Sequence, residues 1–232
     1  MQTEGLVRPE GLMRSEVEVL RELVRASGAR DLLEIGMANG SSTIAMLEAL
    51  GEKGGHVTSI DPYQLGAVTA QGVNGSGYDG EGVKNVQSAG FERMHTLMAE
   101  PDYAALPKLV AAGSRFDFVF VDGYHSFDYV MIDFFYADLL LRTGGMVAFH
   151  DSNRPPVYRA CEFIESNKPY RRVGPPLLVV HASKTRRALR RASHIVSGRA
   201  GEFADRRTKW KSLAAFVKEA DGMADQDLLY RI

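Results

Sequence analysis

The sequence predicts a doubly wound α/β domain with a mostly parallel sheet. Three observations carry this. Strand and helix periodicities alternate along the chain, the helical stretches are long enough, at about 10–15 residues, to serve as crossovers, and 232 residues fit one large domain.

In order, Ser15 to Ser27 reads as a helix, with Ser15 as N-cap, Val17, Leu20, Leu23 and Val24 on the apolar face and Gly28 as the stop. Asp31 to Ile35 is a short buried strand that ends at Gly36. Ser41 to Leu50 carries Ile44, Leu47 and Leu50 at helical spacing, and Gly51 ends it. His56 to Ile60 is a second strand, closed by Asp61-Pro62. A helix near 82–87 and a strand near 94–98 follow, then a helix over 104–112. Phe116 to Val121 is a strongly apolar strand ending at Asp122. Tyr129 to Leu141 is a helix whose apolar face is read as Tyr129, Ile132, Tyr136, Leu139 and Leu140. Gly144-Gly145 turns the chain into a strand over 146–149, which ends at His150-Asp151. Pro156 to Asn167 is a helix, and Leu177 to Val180 is the last strand expected.

Composition bounds the function. A hydrophobic share of 45% and a charged share of 25% are ordinary for a globular chain. The formal net charge of -1 is no footprint of a dedicated nucleic-acid binder. A single cysteine, Cys161, excludes an intrachain disulfide framework and a multi-cysteine metal cluster. Met1 to Gly5 lacks the pattern of a signal peptide, and no apolar run approaches the roughly 18 residues of a membrane span. The expectation is a cytoplasmic protein with no membrane partner, organised as one domain over 1–232 with extensions at 1–15 and 182–232. Two stretches break the rhythm. Residues 64–82 hold six glycines and read as a loop, either a surface insertion or a lid. Residues 183–211 hold ten Lys or Arg against two acids, a net +8 that leaves -9 on the rest. This is either a solvated face packed on an acidic body or an anion site.

Ligands of open α/β sheets bind outside the carboxyl ends of the strands. Four predicted strand ends carry Glu34-Ile35-Gly36, Asp61, Asp122 and Asp151, which converge on one edge if the strands are parallel. Gly36 and Gly40 frame a Gly-x-x-x-Gly turn, followed by Ser41, Ser42 and Thr43 at a helix start. The turn is neither Gly-x-Gly-x-x-Gly nor a P-loop, which argues against dinucleotide and triphosphate sites. Asp61, about 25 residues on, is placed to accept ribose hydroxyls. The pair points to a nucleoside ligand.

These residues resemble a known family. Leu33-Glu34-Ile35-Gly36 with Gly40 and Ser42, then Ile60-Asp61-Pro62, then Phe116-Asp117-Phe118-Val119-Phe120-Val121-Asp122-Gly123-Tyr124-His125-Ser126, Asp133 and Gly144-Gly145-Met146-Val147-Ala148-Phe149-His150-Asp151 look like the class I S-adenosylmethionine-dependent O-methyltransferases. Within them the likeness is to the small-molecule branch of macrolide-sugar O-methyltransferases and cephalosporin-hydroxylase-like proteins, and it spans about residues 30–155. The resemblance implies a Rossmann-like sheet, S-adenosyl-L-methionine as cofactor, Mg²⁺, and a small-molecule hydroxyl as substrate. It places Glu34, Gly36, Met37, Ala38, Asn39, Gly40 and Ser42 on the cofactor's methionine side, Asp61 on its ribose and Asp102 near its adenine. It gives Asp122 and Asp151 to the cation, Asp122 also to cofactor and catalysis, and His125 to the base. Physical chemistry supports those roles: an aliphatic hydroxyl is a poor nucleophile until a Lewis acid or a base acts on it. The chain departs from catechol-type relatives, which have Asp-Asn where it has Asp151-Ser152.

Other readings stay open at this stage. One is a methyltransferase that works without metal or on nitrogen, although Arg154-Pro155-Pro156-Val157 lacks the aromatic and the acid of the amino-group signature. Another is a non-catalytic nucleoside- or RNA-binding module built on the basic segment, whose stacking aromatics are only Phe203 and Trp210. Nucleic acid is otherwise not an expected partner, and a homodimer or higher homo-oligomer is allowed.

Overall fold

The computed structural model describes residues 12–51, 54–64, 77–173 and 212–222. The expected strand at 177–180, the basic stretch 183–211 and residues 65–76 of the glycine-rich segment lie outside them. The elements in chain order are α1 (Arg14–Ser27), β1 (Asp31–Ile35), α2 (Ser41–Leu50), β2 (His56–Ile60), α3 (Glu81–Ser88), β3 (His95–Met98), α4 (Asp102–Ala111), β4 (Phe116–Val121), α5 (Phe127–Leu140), β5 (Leu141–Phe149), α6 (Pro155–Asn167), β6 (Tyr170–Arg172) and β7 (Ala214–Lys218).

Seven strands form one sheet in the order β3-β2-β1-β4-β5-β7-β6. The first five are parallel; β7 runs antiparallel to β5, and β6 antiparallel to β7. The chain winds outward from β1 to β3, then restarts at β4 beside β1. The loops after β1 and β4 therefore diverge and leave a crevice between them.

Alternation along the strands builds the two apolar layers. Leu33, Ile35, Val119, Val121, Val147 and Phe149 face α4, α5 and α6, whereas Leu32, Phe118, Phe120, Met146 and Ala148 face α1 and α2. Both faces of β1 and β4 are buried, which is why these strands read as continuous apolar runs. Each strand end is locked to its neighbour: the backbone N–H of Gly36 donates to Ile60 (2.9 Å), that of Asp122 to Ile35 (2.8 Å) and that of His150 to Val121 (3.0 Å). These three bonds hold all four acid-bearing ends level.

Several boundaries differ from expectation, each for a local reason. α1 begins at Arg14 with Met13 as N-cap in place of Ser15, because the Glu16 carboxylate accepts the Met13 N–H at 2.7 Å. On α5 the buried face is Val130, Asp133, Phe134, Ala137 and Leu140, while Ile132 and Leu139 are 37% and 45% exposed. This helix is apolar all round, so periodicity does not single out the inner face. β5 starts five residues early: Phe116 pairs with Leu141 and Phe118 with Met146, so residues 142–145 form a bulge. Arg142 anchors the bulge through Nη1 on Asp117 Oδ1 at 2.7 Å.

β6 and β7 were not expected, and β7 turns part of the 182–232 extension into a strand of the sheet. Lys218, almost fully buried, ties β7 to the end of α5 by donating to the carbonyls of Asp138 (2.6 Å) and Leu141 (3.2 Å). No helix among the described residues is long and apolar enough to cross a membrane.

Candidate active site

The loop from β1 to α2 is held rigid by its neighbours. Gly36 has φ of +91°, and a Cβ there would run into the Asp122 carbonyl, so only glycine lets β1 and β4 close up at this point. Asp61, at the end of β2, reaches across the crevice. Its Oδ2 accepts the N–H groups of Met37 (3.1 Å) and Ala38 (2.8 Å), and its Oδ1 that of Tyr63 (2.8 Å). Gln64 adds a bond from Nε2 to the Ala38 carbonyl (2.6 Å) and accepts the Gly82 N–H (3.2 Å). Ala38 is held at φ of +47°, a strained state for a residue with a side chain. A turn held in this way keeps its shape at the cleft without an ordering penalty at the moment of binding.

Three of the expected cofactor residues do not line the cleft. Glu34 is fully buried, does not line the cleft, and accepts hydroxyls from Ser42, Thr43 (2.6 Å) and Ser59 (2.6 Å). It braces α2 and β2 from behind, because its own side of β1 is covered by those elements. Burial, opposed by the three hydroxyls, pushes its carboxyl up to about 7. Gly40 and Asn39 also stay off the cleft. Gly40 is needed for packing: a Cβ there would lie 2.9 Å from the Gly82 carbonyl. The Asn39 carbonyl accepts from Asn85 at 2.9 Å.

A cleft of about 920 Å³ lies along the carboxyl ends of the strands. Of the predicted cofactor residues, Gly36, Met37, Ala38, Ser42, Asp61 and Asp102 line it. So do Asp122, His125 and Asp151. At one end stand Asp102 and a tyrosine group in which Tyr129 meets Tyr103 and Tyr124 edge-on at 6.4 and 5.3 Å. Asp102 begins α4, takes the Tyr103 N–H on Oδ1 at 2.7 Å, and is raised by burial.

At the other end the strand termini assemble a charged network. Asp122 Oδ1 stands 2.9 Å from His150 Nδ1 and 3.4 Å from His125 Nε2. His125 Nε2 is also 3.2 Å from Asp151 Oδ2, which pairs with Arg154 Nε at 2.7 Å. His150 Nε2 lies 3.3 Å from Glu16 Oε2 of α1. Burial alone would discharge this network, but the pairings win. The Asp122 carboxyl is lowered: burial opposes this, and the two histidines outweigh it. Glu16 is likewise lowered, with His150 outweighing its burial. Burial works against a charge on His150, yet its contacts with Asp122 and Glu16 raise it to about 10. His150 is therefore an imidazolium across the neutral range, and it cannot accept a proton there.

The arrangement fits a divalent cation in one way. The donor atoms of Asp122, His125 and His150 all lie within 4.8 Å of one another, the one such group among the described residues. Two of the three donors are imidazoles, whereas the expected pair for Mg²⁺ was Asp122 with Asp151. Mg²⁺ takes oxygen ligands, and a nitrogen-rich set suits the borderline first-row ions better.

Glu16, His150 and Arg154 are site residues that the sequence reading did not single out for a role. Glu16 carried a signal: it lies three and four residues before Val19 and Leu20, on the buried face of α1, where an unpaired acid would be costly. A strand-end histidine such as His150 is expected to pack or hydrogen-bond there, as it does with Asp122, and its contact with α1 follows from tertiary structure alone.

Comparison with known proteins shows the family and the fold. The methyltransferase domain family matches residues 33–152. No curated protein matches the sequence. Among solved structures, a cofactor-bound protein from MTB is similar at a TM-score of 0.63 and 17% identity, over 92% of this chain and 84% of that one. An O-methyltransferase from Bacillus cereus in complex with SAH gives 0.59 and 19%, over 71% and 75%. The O-methyltransferase TomG from Streptomyces achromogenes, involved in tomaymycin synthesis and solved with SAM, gives 0.56 and 22%, over 70% and 73%.

Proposed function

The chain belongs to the methyltransferase domain family, and we propose that it transfers the methyl group of S-adenosylmethionine (SAM) to a hydroxyl of a small molecule. The observation that carries the proposal is the position of His125 Nε2 between the carboxylates of Asp122 and Asp151, at the edge of the cleft that Gly36 to Ala38 and Asp61 frame. The similar structures that hold SAM or its product S-adenosylhomocysteine (SAH), and are O-methyltransferases by name, support the cofactor and the acceptor atom.

The loop 36–38 and Asp61 hold the nucleoside and methionine parts of the cofactor. The acceptor enters beside His125. As its oxygen forms a bond to the methyl carbon, the carbon–sulfur bond breaks and the sulfonium becomes a neutral thioether, SAH. With Nε2–H turned to the Asp122 and Asp151 carboxylates, the other ring nitrogen of His125, Nδ1, takes the hydroxyl proton, and the flanking carboxylates stabilise the imidazolium that results. His150, already charged, does not compete for the proton. It holds Asp122 in place and is itself held by Glu16.

Asp61 offers the direct test of the cofactor part. Asp61→Ala removes the acceptor of three loop N–H groups and a ribose contact. A charged hydrogen bond is worth about 1.5–3 kcal/mol, so SAH affinity measured by calorimetry should fall by at least about tenfold. Unchanged affinity would overturn the assignment.

A second reading rests on the clustering of Asp122, His125 and His150. Those three residues would hold a divalent cation, Mg²⁺ in the expectation from sequence, and a bound cation would supply Lewis acidity that lowers the pKa of an oxygen beside it. His125 is then a ligand and not the base. Initial rates with EDTA separate the two: the base reading expects full turnover in chelator. Loss of activity, restored by Mg²⁺, Mn²⁺ or Zn²⁺, would establish the cation reading in its place.

A further inference from the structure

We propose that Asp102 and Asp133 share one proton and act as a single acid–carboxylate pair that receives the amino edge of the cofactor's purine, with Asp133 as the positioning residue. The proposal rests on the reading that this cleft takes SAM, and it adds a residue that does not itself line the cleft.

Asp133 sits on the inner face of α5 with no exposed surface, and neither carboxyl oxygen finds a donor among the described residues. A buried acid with two empty oxygens is costly unless it is protonated or paired. Asp102 is the ionisable neighbour that bears on this carboxyl. Two ionised carboxylates only accept, so the pair forms a hydrogen bond only when a proton lies between them.

The surroundings supply nothing else to satisfy it. From the turn after β4 comes Gly123, where a Cβ would stand 3.5 Å from Asp133 Oδ2. From α4 comes Asp102 itself, the ionisable group that bears on Asp133. Burial drives both acids upward, and the Asp102 charge adds to the rise at Asp133. Asp102 alone of the two reaches the cleft, beside Tyr103 and Tyr129. Anchored from behind by a shared proton and from its own helix by the Tyr103 N–H, its carboxyl is fixed in orientation. It faces the cleft as an acceptor, which suits an exocyclic amino group. A purine with a carbonyl at that position would set oxygen against oxygen.

Calorimetric titration of the full chain with SAH and with S-inosylhomocysteine, from pH 6 to 10, tests this. Wild-type protein should bind the amino purine at least about tenfold more tightly than the oxo analogue, because the analogue leaves the acceptor unpaired. SAH affinity should fall at high pH, by up to about tenfold per unit, as the shared proton is lost. In Asp133→Asn the amide donates to Asp102 at every pH, so the part of this fall that exceeds the ligand's own amino-group titration disappears. The ratio of wild-type to Asp133→Asn affinity for SAH cancels that ligand titration and should change with pH. Asp133→Leu, of similar size without a donor, should bind SAH more weakly than Asp133→Asn throughout. A pH-independent ratio, or equal binding by the Asn and Leu variants, overturns the shared proton. Failure of the wild-type protein to bind SAH at any pH overturns the cofactor reading instead, and the pair's role with it.

Discussion

His125→Ala lowers kcat by about 10²–10⁴, the range expected when a positioned general base is removed, while SAH affinity stays close to that of the wild type. The separation follows from the geometry. The ring of His125 bridges Asp122 and Asp151 at the edge of the cleft and makes no hydrogen bond to the 36–38 loop or to Asp61. His150 cannot replace it, since Asp122 and Glu16 hold that ring protonated up to about pH 10. Single-turnover rates, with SAH binding measured in parallel, decide the matter. A variant that keeps kcat makes His125 structural. A parallel loss of SAH affinity makes it a packing residue, because a base that acts only in the transition state leaves ground-state binding alone.

The parallel core was legible in the sequence because each of its strands is a short apolar run between a helix stop and an acid or glycine. β1, α2, β2 and β4 fall on the expected residues, from Asp31, Ser41, His56 and Phe116. The convergence of Gly36, Asp61, Asp122, His125 and Asp151 follows from that topology, since parallel strands bring their carboxyl ends to one edge. What was not legible depends on distant contacts. β7 is an apolar run, Ala214 to Val217, just after the basic stretch, and it becomes a strand only by pairing with β5. The inner face of α5 is fixed by the sheet beneath it and not by the helix's own pattern. Glu16 and His150 meet only when α1 lies across the end of β5. The bracing contacts of Glu34 were hidden for a related reason: alternation along β1 does not tell which buried face the acid takes, and it takes the one behind the loop.

That position makes Glu34 the residue whose replacement should cost the most stability. Its two oxygens receive Ser42, Thr43 and Ser59, which join the first turn of α2 and the middle of β2 to β1. Glu34→Ala leaves the buried hydroxyls of Ser42 and Thr43 without their acceptor and a cavity beside them, while Ser59 keeps His95 Nε2 at 3.0 Å. Each orphaned group costs about 1–3 kcal/mol, so with the cavity a loss of about 3–5 kcal/mol is expected. The pH dependence has a definite sign. Burial raises the folded-state carboxyl to about 7, above its ordinary value of 4.5. Between those values the native chain binds a proton that the unfolded chain has released. Stability therefore falls as pH rises through this window, by up to about 1.4 kcal/mol per unit, and levels off above it. Glu34→Gln, which does not titrate, should flatten that slope in urea denaturation between pH 4.5 and 7.5. Had Glu34 held the methionine part of the cofactor, the same variant would weaken SAH by tenfold or more. A slope that persists in the variant would sink the assignment of the proton to Glu34. A flattened slope with SAH binding retained fits an acid that fixes the shape of the loop from behind and never touches the ligand.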